Sequence, residues 1–203
     1  VEIPEEKEEM TEDEVMYRKA VMQLHLKYWT EYESVLKNIK ICDPACGSGA
    51  FLNQCFDFLH EEMNFVLDMK RLFDNGQISL FDIDKEILQN NLYGVDINPE
   101  SVEITKLSLW LKTAKNNQTL ASLDGNIKCG NSIVADRNVA NDAFVWEEAF
   151  PDIFASGGFD IIIGNPPYGA TLDQAQKDYL TENYVTTEYN FDTYKTFFEL
   201  GIR

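Results

Sequence analysis

The sequence predicts an α/β fold in which a mostly parallel sheet carries helices on both faces, and three observations predict it. The first is Asp43-Pro-Ala-Cys-Gly-Ser-Gly-Ala-Phe-Leu52, which follows a short β-branched run, Ile39-Lys-Ile-Cys42, and opens into helical patterning. A strand, a glycine turn and a helix make the half-unit that holds a nucleotide-like ligand at the carboxyl edge of a parallel sheet. The second is Phe159-Asp-Ile-Ile-Ile-Gly164, an apolar run suited to the middle of such a sheet. The third is Pro99 to Lys112, whose Val102, Ile104, Leu107, Leu109, Trp110 and Leu111 give an amphipathic face fit to cover it.

Composition bounds the function. A chain of 203 residues can bury a real core as one α/β domain or most of one. Its net charge of −18 has the wrong sign for gripping a phosphate backbone, so a nucleic-acid substrate must be held mainly by basic surface elsewhere. Cys42, Cys46, Cys55 and Cys129 show no metal-type spacing and read as reduced thiols of a cytoplasmic protein. No metal site is predicted. There is no signal peptide and no apolar run long enough to span a bilayer, so no membrane partner is expected. The chain opens on Val1 and stops at Arg203 within helical patterning, which predicts a piece of a larger protein.

Taken in order, residues 1–10 are an acidic run with one proline and predict a disordered end. Thr11-Glu-Asp-Glu14 fits a capping box, and a helix over 11–37 runs through Val15, Ala20, Met22, Leu24, Tyr28, Tyr32 and Leu36. Its apolar positions are broad, which predicts packing against the sheet domain; His25, on this helix, is given no role. Gly47 and Gly49 permit positive φ and close approach of backbone to a ligand, which the free N–H groups of the next helix then face. That helix is expected over Ala50 to Leu72, packing Phe51, Phe56, Leu59, Met63, Val66, Leu67 and Met69, with Asp74-Asn-Gly76 as its terminating turn. Ile83 to Asn91 predicts a further short helix.

Leu92-Tyr-Gly-Val-Asp96 reads as a strand ending in a carboxylate. An acidic residue there can accept hydrogen bonds from both ribose hydroxyls of a nucleoside-like cofactor. It can equally cap the helix starting near Pro99, and both readings stay open. Ile97, next in line, can cover one face of an adenine ring. Asn116-Asn-Gln118 and Asp124-Gly125 mark a loop. Ile127-Lys-Cys129 follows as a strand, ending in Gly130-Asn131-Ser132. Asn131 either meets an adenine's exocyclic amine or is a plain turn residue. Residues 135–158 read as loop and short helix anchored by Trp146 and Phe150.

The apolar run then delivers Asn165-Pro-Pro-Tyr168 to the same edge. An exocyclic amine on adenine is a poor nucleophile because its lone pair is drawn into the ring. It improves when its N–H groups donate to well-placed acceptors. The side-chain oxygen of Asn165 offers one and the Pro166 carbonyl a second, while two prolines stiffen the backbone. Tyr168 supplies a face on which a flipped base can stack, worth roughly 1–3 kcal/mol. A rigid turn after a strand is the plainer reading of any Asn-Pro-Pro.

The combination carries a family resemblance. Asp43 to Leu52 resembles motif I of the γ-class N6-adenine DNA methyltransferases. Tyr93-Gly-Val-Asp96-Ile-Asn98 resembles motif II, Cys129-Gly-Asn131-Ser132 motif III, and Asp160-Ile-Ile-Ile-Gly-Asn165-Pro-Pro-Tyr168 motif IV. Asp192-Thr-Tyr194-Lys-Thr-Phe197-Phe-Glu199 resembles motif V. Five motifs stand in the right order over Ile39 to Arg203. With Lys106-Leu-Ser-Leu-Trp-Leu111, the wording resembles the methyltransferase region of fused type IIG restriction-modification enzymes and their phage-defence relatives.

The resemblance implies a Rossmann-like S-adenosylmethionine-dependent methyltransferase fold, incomplete in its C-terminal half. Residues 38–203 would be a partial catalytic domain without its target-recognition domain. Asp43, Ala45, Gly47 and Gly49 would contact the methionine part of S-adenosylmethionine. Asp96 would hold the ribose, Ile97 would pack on the adenine, Asn131 would meet its amine, and Phe197 would add an apolar contact. Asn165, Pro166 and Tyr168 would activate the flipped adenine, with Pro167 and Tyr168 binding it. Double-stranded DNA would be gripped by segments outside these residues, with a fused nuclease as a further possibility of the architecture. The upstream motif that such enzymes carry is not found between Val1 and Lys40, and position 131 is asparagine where some relatives use aspartate. The piece alone is expected to show no site-specific methylation. Two alternatives are a methyltransferase of another amine (protein glutamine or ribosomal-RNA guanine) and a catalytically silent scaffold.

Overall fold

The computed structural model describes residues 10–74, 82–113, 122–187 and 192–203. Four strands, β1 (Ile41–Asp43), β2 (Leu92–Asp96), β3 (Ile127–Cys129) and β4 (Ile161–Ile162), form one sheet in the order β3-β2-β1-β4. Every pairing is parallel, with Ile41 opposite both Leu92 and Ile161, and Gly94 opposite Ile127. The crossovers are α2 (Ala50–Phe73) with α3 (Ile83–Asn90), then α4 (Pro99–Thr113), then a loop holding α5 (Trp146–Ala149) and α6 (Pro151–Ala155). Residues 1–9, 75, 76 and 116–118, which carry the expected disordered end, the Asn-Gly of the turn and one loop signal, lie outside the described residues.

Alternation along the buried strands feeds two cores. Ile41 and Leu92 face Leu52, Leu59, Met63, Val66, Ile87 and Leu109 of the helical layer. Cys42, Tyr93 and Val95 face the other way, onto Phe144, Phe150 and Ile153. Trp146 and Phe150 are anchors as expected, in a cluster of edge-to-face and tilted rings with Phe144 and Phe159. Helices therefore cover both faces.

An earlier helix, α1 (Glu12–Asn38), carries the expected capping box: Glu14 N–H donates to Thr11 Oγ1, and Thr11 N–H donates to Glu14 Oε2. It packs along α2 through Trp29, whose ring meets Phe65 edge-on, and through Tyr32, which donates to Glu62. His25 stacks on Phe73. The C-terminal end is locked into the core by buried Asn91, whose Nδ2 donates to Leu36 O and Ile39 O. Ile39 is thereby used as the C-cap of α1, and the first strand begins at Ile41, two residues later than its β-branched run suggests.

Three expectations need correcting. The Phe159–Gly164 run forms a shorter strand than its apolar length suggests. Among the described residues only Ile161 and Ile162 of it pair, with β1, and the two residues are about two-fifths exposed, 41% and 39%. Gly158, at φ +100, delays the ladder, and Gly164 with two following prolines stops it. Among the described residues, no strand pairs with the other edge of β4. Secondly, Phe51 stands on the solvent side of α2, in a seven-residue repeat with exposed Phe58, Phe65 and Leu72. Thirdly, α4 buries Val102, Thr105, Lys106 and Leu109 while Ile104, Leu107 and Leu111 stay exposed. Two polar residues displace apolar ones there because each has a buried task. Lys106 pairs with Asp124 and Glu103, and Thr105 serves the glycine turn.

Gly130, just after β3, has its Hα side against the buried Phe144 ring. A Cβ there would lie 2.5 Å from Phe144 Cδ2 and 3.0 Å from Phe144 Cβ. Because Phe144 is wedged among Trp146 and Phe150, Gly130→Ala is expected to lower stability by about 1–3 kcal/mol. Urea midpoints of the two proteins test this; coincident midpoints would show that the ring gives way freely.

Candidate cofactor and acceptor site at the carboxyl edge

Because all four strands are parallel, their carboxyl ends share one edge, the edge on which open α/β sheets bind ligands. The chain steps outward from β1 to β2 and β3, then crosses back to place β4 on β1's other side. This reversal sets the loop after β1 beside the loop after β4.

The loop after β1 is a rigid glycine turn. Gly47 and Gly49 have φ of +53 and +82, and Gly49 is the N-cap of α2. A Cβ on Gly49 would strike Thr105 at 2.9 Å, whereas one on Gly47 would meet nothing within 4 Å, so the turn is packed beneath and open above. Thr105 Oγ1 donates to Gly47 O at 2.8 Å, and Cys46 N–H donates to Val95 O. Burial first, and then the neighbouring Asp43, push the Cys46 thiol up to about 12, so it is an inert packing group.

Two carboxylates converge on this turn. Asp96 Oδ2 accepts from Gly47 N–H at 2.8 Å, and Oδ1 accepts from Asn98 N–H at 2.9 Å. Asn98, not Asp96, caps α4, since its Oδ1 accepts from Glu100 N–H. Asp43 is almost wholly buried, and its Oδ1 accepts from Ala45 N–H at 3.0 Å. Burial raises its pKa to about 6, against the Ala45 bond and with help from the Asp96 charge. All of these bonds come from backbone N–H groups. Such a site is suited to a ligand that brings positive charge, which would stabilise the ionised form of Asp43.

Asp43 also reaches across to the other loop. A Cβ on Gly164 would lie 2.5 Å from Asp43 Oδ1, so only glycine lets β4 leave the sheet past this carboxylate. The next residue is Asn165, exposed, followed by half-buried Pro166, exposed Pro167 and Tyr168, which is 71% exposed. The residues argued to carry an acceptor base therefore stand immediately beside those argued to carry a cofactor.

The remaining candidates flank this pair. Ile97 lies exposed at the end of β2. Asn131 is buried, at 6%, and does form a turn: its N–H donates to Asp142 O and its C=O accepts from Val134 N–H. A ligand contact from it rests on the side-chain amide alone. Ser132 Oγ donates to Pro44 O at 2.6 Å, tying this loop to the glycine turn. Beyond α7 (Gln174–Asn183), Phe197 in α8 (Thr193–Ile202) packs into the cluster of Ile133, Val134, Leu180 and Tyr184. That places it against the loop following Asn131. No group of three or more histidine, cysteine or acidic residues suited to a metal occurs among the described residues.

Sequence reasoning missed Thr105, and it quoted Gly164, Asp192 and Thr193 within motifs IV and V without giving any of them a task of its own. Thr105 looks like one more polar residue on an amphipathic helix, and its partner is distant in the chain. Asp192-Thr193 did carry a signal, an Asp before an apolar helical run, but as a cap and not as a neighbour of Tyr168.

The sheet order, the glycine turn closing on an acidic β2 end, and the Asn-Pro-Pro-Tyr turn after β4 together make a Rossmann-like methyltransferase fold. The family model of the Eco57I restriction-modification methylases matches residues 90–203, and the chain belongs to that family. It is 29% identical over 189 residues to the type II restriction enzyme and methyltransferase RM.Eco57I of Escherichia coli, covering 82% of this chain and 18% of that protein. A putative type II restriction enzyme and methyltransferase of Methanocaldococcus jannaschii is 38% identical over 49% of this chain and 9% of its own length. DNA methyltransferase A of Bacillus subtilis is 28% identical over 69% of this chain and 16% of its own. The chain thus spans less than a fifth of the length of the curated relatives it matches. Among the described residues no helix is long and apolar enough to cross a membrane.

Proposed function

We propose that the protein transfers a methyl group from S-adenosylmethionine to N6 of a flipped-out adenine in double-stranded DNA. Residues 38–203 form part of the catalytic domain of a cytoplasmic restriction-modification enzyme, with target recognition and any nuclease in other segments of the polypeptide. The observation that carries this reading is the seat of Asp43 against Gly164, which couples a cation-seeking turn to an amine-accepting one. S-adenosylmethionine, when bound, supplies an electrophilic methyl group on a sulfonium.

The chain's own residues do the rest. Asp43 and the open side of the glycine turn hold the charged amino-acid portion, and Asp96 accepts from the ribose hydroxyls with lone pairs that Gly47 and Asn98 leave free. Ile97, Asn131 and Phe197 border the adenine of the cofactor. Asn165 and the Pro166 carbonyl accept from the substrate amine, and Tyr168, with Pro167, takes the base face. The net charge of −18 leaves the DNA grip to basic surface elsewhere. The names of the matched relatives favour DNA over a protein or ribosomal-RNA acceptor. A screen of DNA, RNA and protein acceptors with the full-length enzyme separates the three.

Calorimetric titration with S-adenosylmethionine and S-adenosylhomocysteine tests the cofactor half. Asp96→Ala is expected to weaken both by at least roughly tenfold, the loss of a charged hydrogen bond. Equal affinities in the variant and the wild type would remove Asp96 from the site.

A further inference from the structure

The start of α8 grips the Asn165–Tyr168 turn. Thr193, 1% exposed, donates its hydroxyl to Pro167 O at 2.7 Å and accepts from Ala170 N–H at 3.4 Å. Asp192, the N-cap residue of α8, makes no side-chain bond to its own helix. An N-cap Asp ordinarily accepts from an N–H in the first turn. Here its Oδ1 accepts instead from Gly169 N–H at 3.2 Å, where the chain turns through a φ of +62. Tyr194, next along, sets its ring 5.5 Å from that of Tyr168 at a tilt of 44°. Three consecutive residues thus meet the segment from Pro167 to Ala170.

The prolines do not by themselves fix this turn. Each sets φ, but ψ stays free. A hydrogen bond to the Pro167 carbonyl fixes the peptide plane between Pro167 and Tyr168, and with it the direction in which Tyr168 leaves the turn. Among the described residues, the ring contact of exposed Tyr168 is with Tyr194. The geometry points to Thr193 as a positioning residue for methyl transfer, orienting Tyr168 and the Asn165–Pro166 acceptors through the Pro167 carbonyl, with Asp192 as its second fastening. This rests on the adenine-transfer reading above, in which Tyr168 receives the base.

The test uses the full-length protein with Thr193→Val, which keeps the side-chain shape, and Thr193→Ser, which keeps the hydroxyl. Turnover on DNA containing the enzyme's site is expected to fall roughly tenfold in the valine variant, the loss of about one buried hydrogen bond in the reacting geometry. The KM for S-adenosylmethionine should stay within about twofold, and serine should recover turnover to within about threefold. Undiminished turnover in Thr193→Val overturns the inference. So does a loss that serine fails to rescue or that comes with a parallel rise in KM, since either marks general structural damage.

Hydrogen exchange separates this inference from the reading beneath it. The Gly169 and Ala170 amides should exchange faster in Thr193→Val than in the wild type, with the sheet unchanged. If the wild-type protein methylates no adenine, the proposed function fails and exchange alone decides. Faster exchange at those two amides then upholds the fastening, and unchanged exchange overturns it.

Discussion

Asn165→Ala in the full-length protein is expected to lower methyl transfer to DNA by about 10²–10³-fold, the scale of losing one preorganised polar group at a reacting centre. S-adenosylmethionine binding should stay within about twofold. The expectation follows from the separation of tasks along the sheet edge. Asn165 is exposed and lies beyond Gly164, whereas Asp43 and Asp96 face the glycine turn. Truncating it would remove the acceptor proposed for the substrate amine while leaving the hydrogen bonds around that turn in place. A change in cofactor affinity as large as the change in rate would mean that the two half-sites are one. Retained turnover would move the amine acceptor elsewhere.

The parts legible in the sequence are those fixed by local chemistry. β2, β3 and the bounds of α2, α3 and α4 fall where period and caps put them, to within a residue. Asp43, Gly47, Gly49 and Asp96 come together because a glycine turn at the end of a parallel strand has few ways to fold. Non-local packing defeats the same reasoning. Phe159–Gly164 is apolar enough for a full-length strand, yet among the described residues its ladder is confined to Ile161 and Ile162 against β1, and no residue within the run reports which strands flank it. Thr105 and Lys106 occupy the inner face of α4 because partners 58 and 18 residues away satisfy them. At Asp96 the structure removes one of two local readings, that of a helix cap. Asn98 has taken the capping role, which leaves the carboxylate turned toward Gly47.

The second large effect belongs to Asp43. Its pKa, pushed up to about 6 by burial and by Asp96, lies above the ordinary value of 3.8. A folded-state pKa above the unfolded one means that the folded protein binds more protons between these values, so stability falls as pH rises from about 4 to about 6. At about 1.4 kcal/mol per pH unit, the ionised carboxylate costs about 3 kcal/mol at neutral pH without a cation beside it. Asp43→Asn keeps the acceptor for Ala45 and the shape against Gly164 while abolishing the charge. Without cofactor, the variant is therefore expected to be more stable than the wild type at pH 7 by up to about 3 kcal/mol, with the advantage vanishing near pH 4. Cofactor binding should run the other way. The ionised form is the one that holds a cationic ligand, so wild-type affinity for S-adenosylmethionine should be about tenfold weaker at pH 5 than at pH 7. In the asparagine variant the affinity should be low and should lack this acid-side dependence. Urea unfolding across pH and calorimetry in buffers of different ionisation enthalpy read both effects, the second through proton release on binding near pH 5.5. An affinity that is flat from pH 5 to pH 7 in the wild type, or tight binding by Asp43→Asn, would remove Asp43 from the ligand's charged end. In that case the carboxylate would serve only to seat Gly164, and the stability gain of the asparagine variant would stand with no loss of function to set against it.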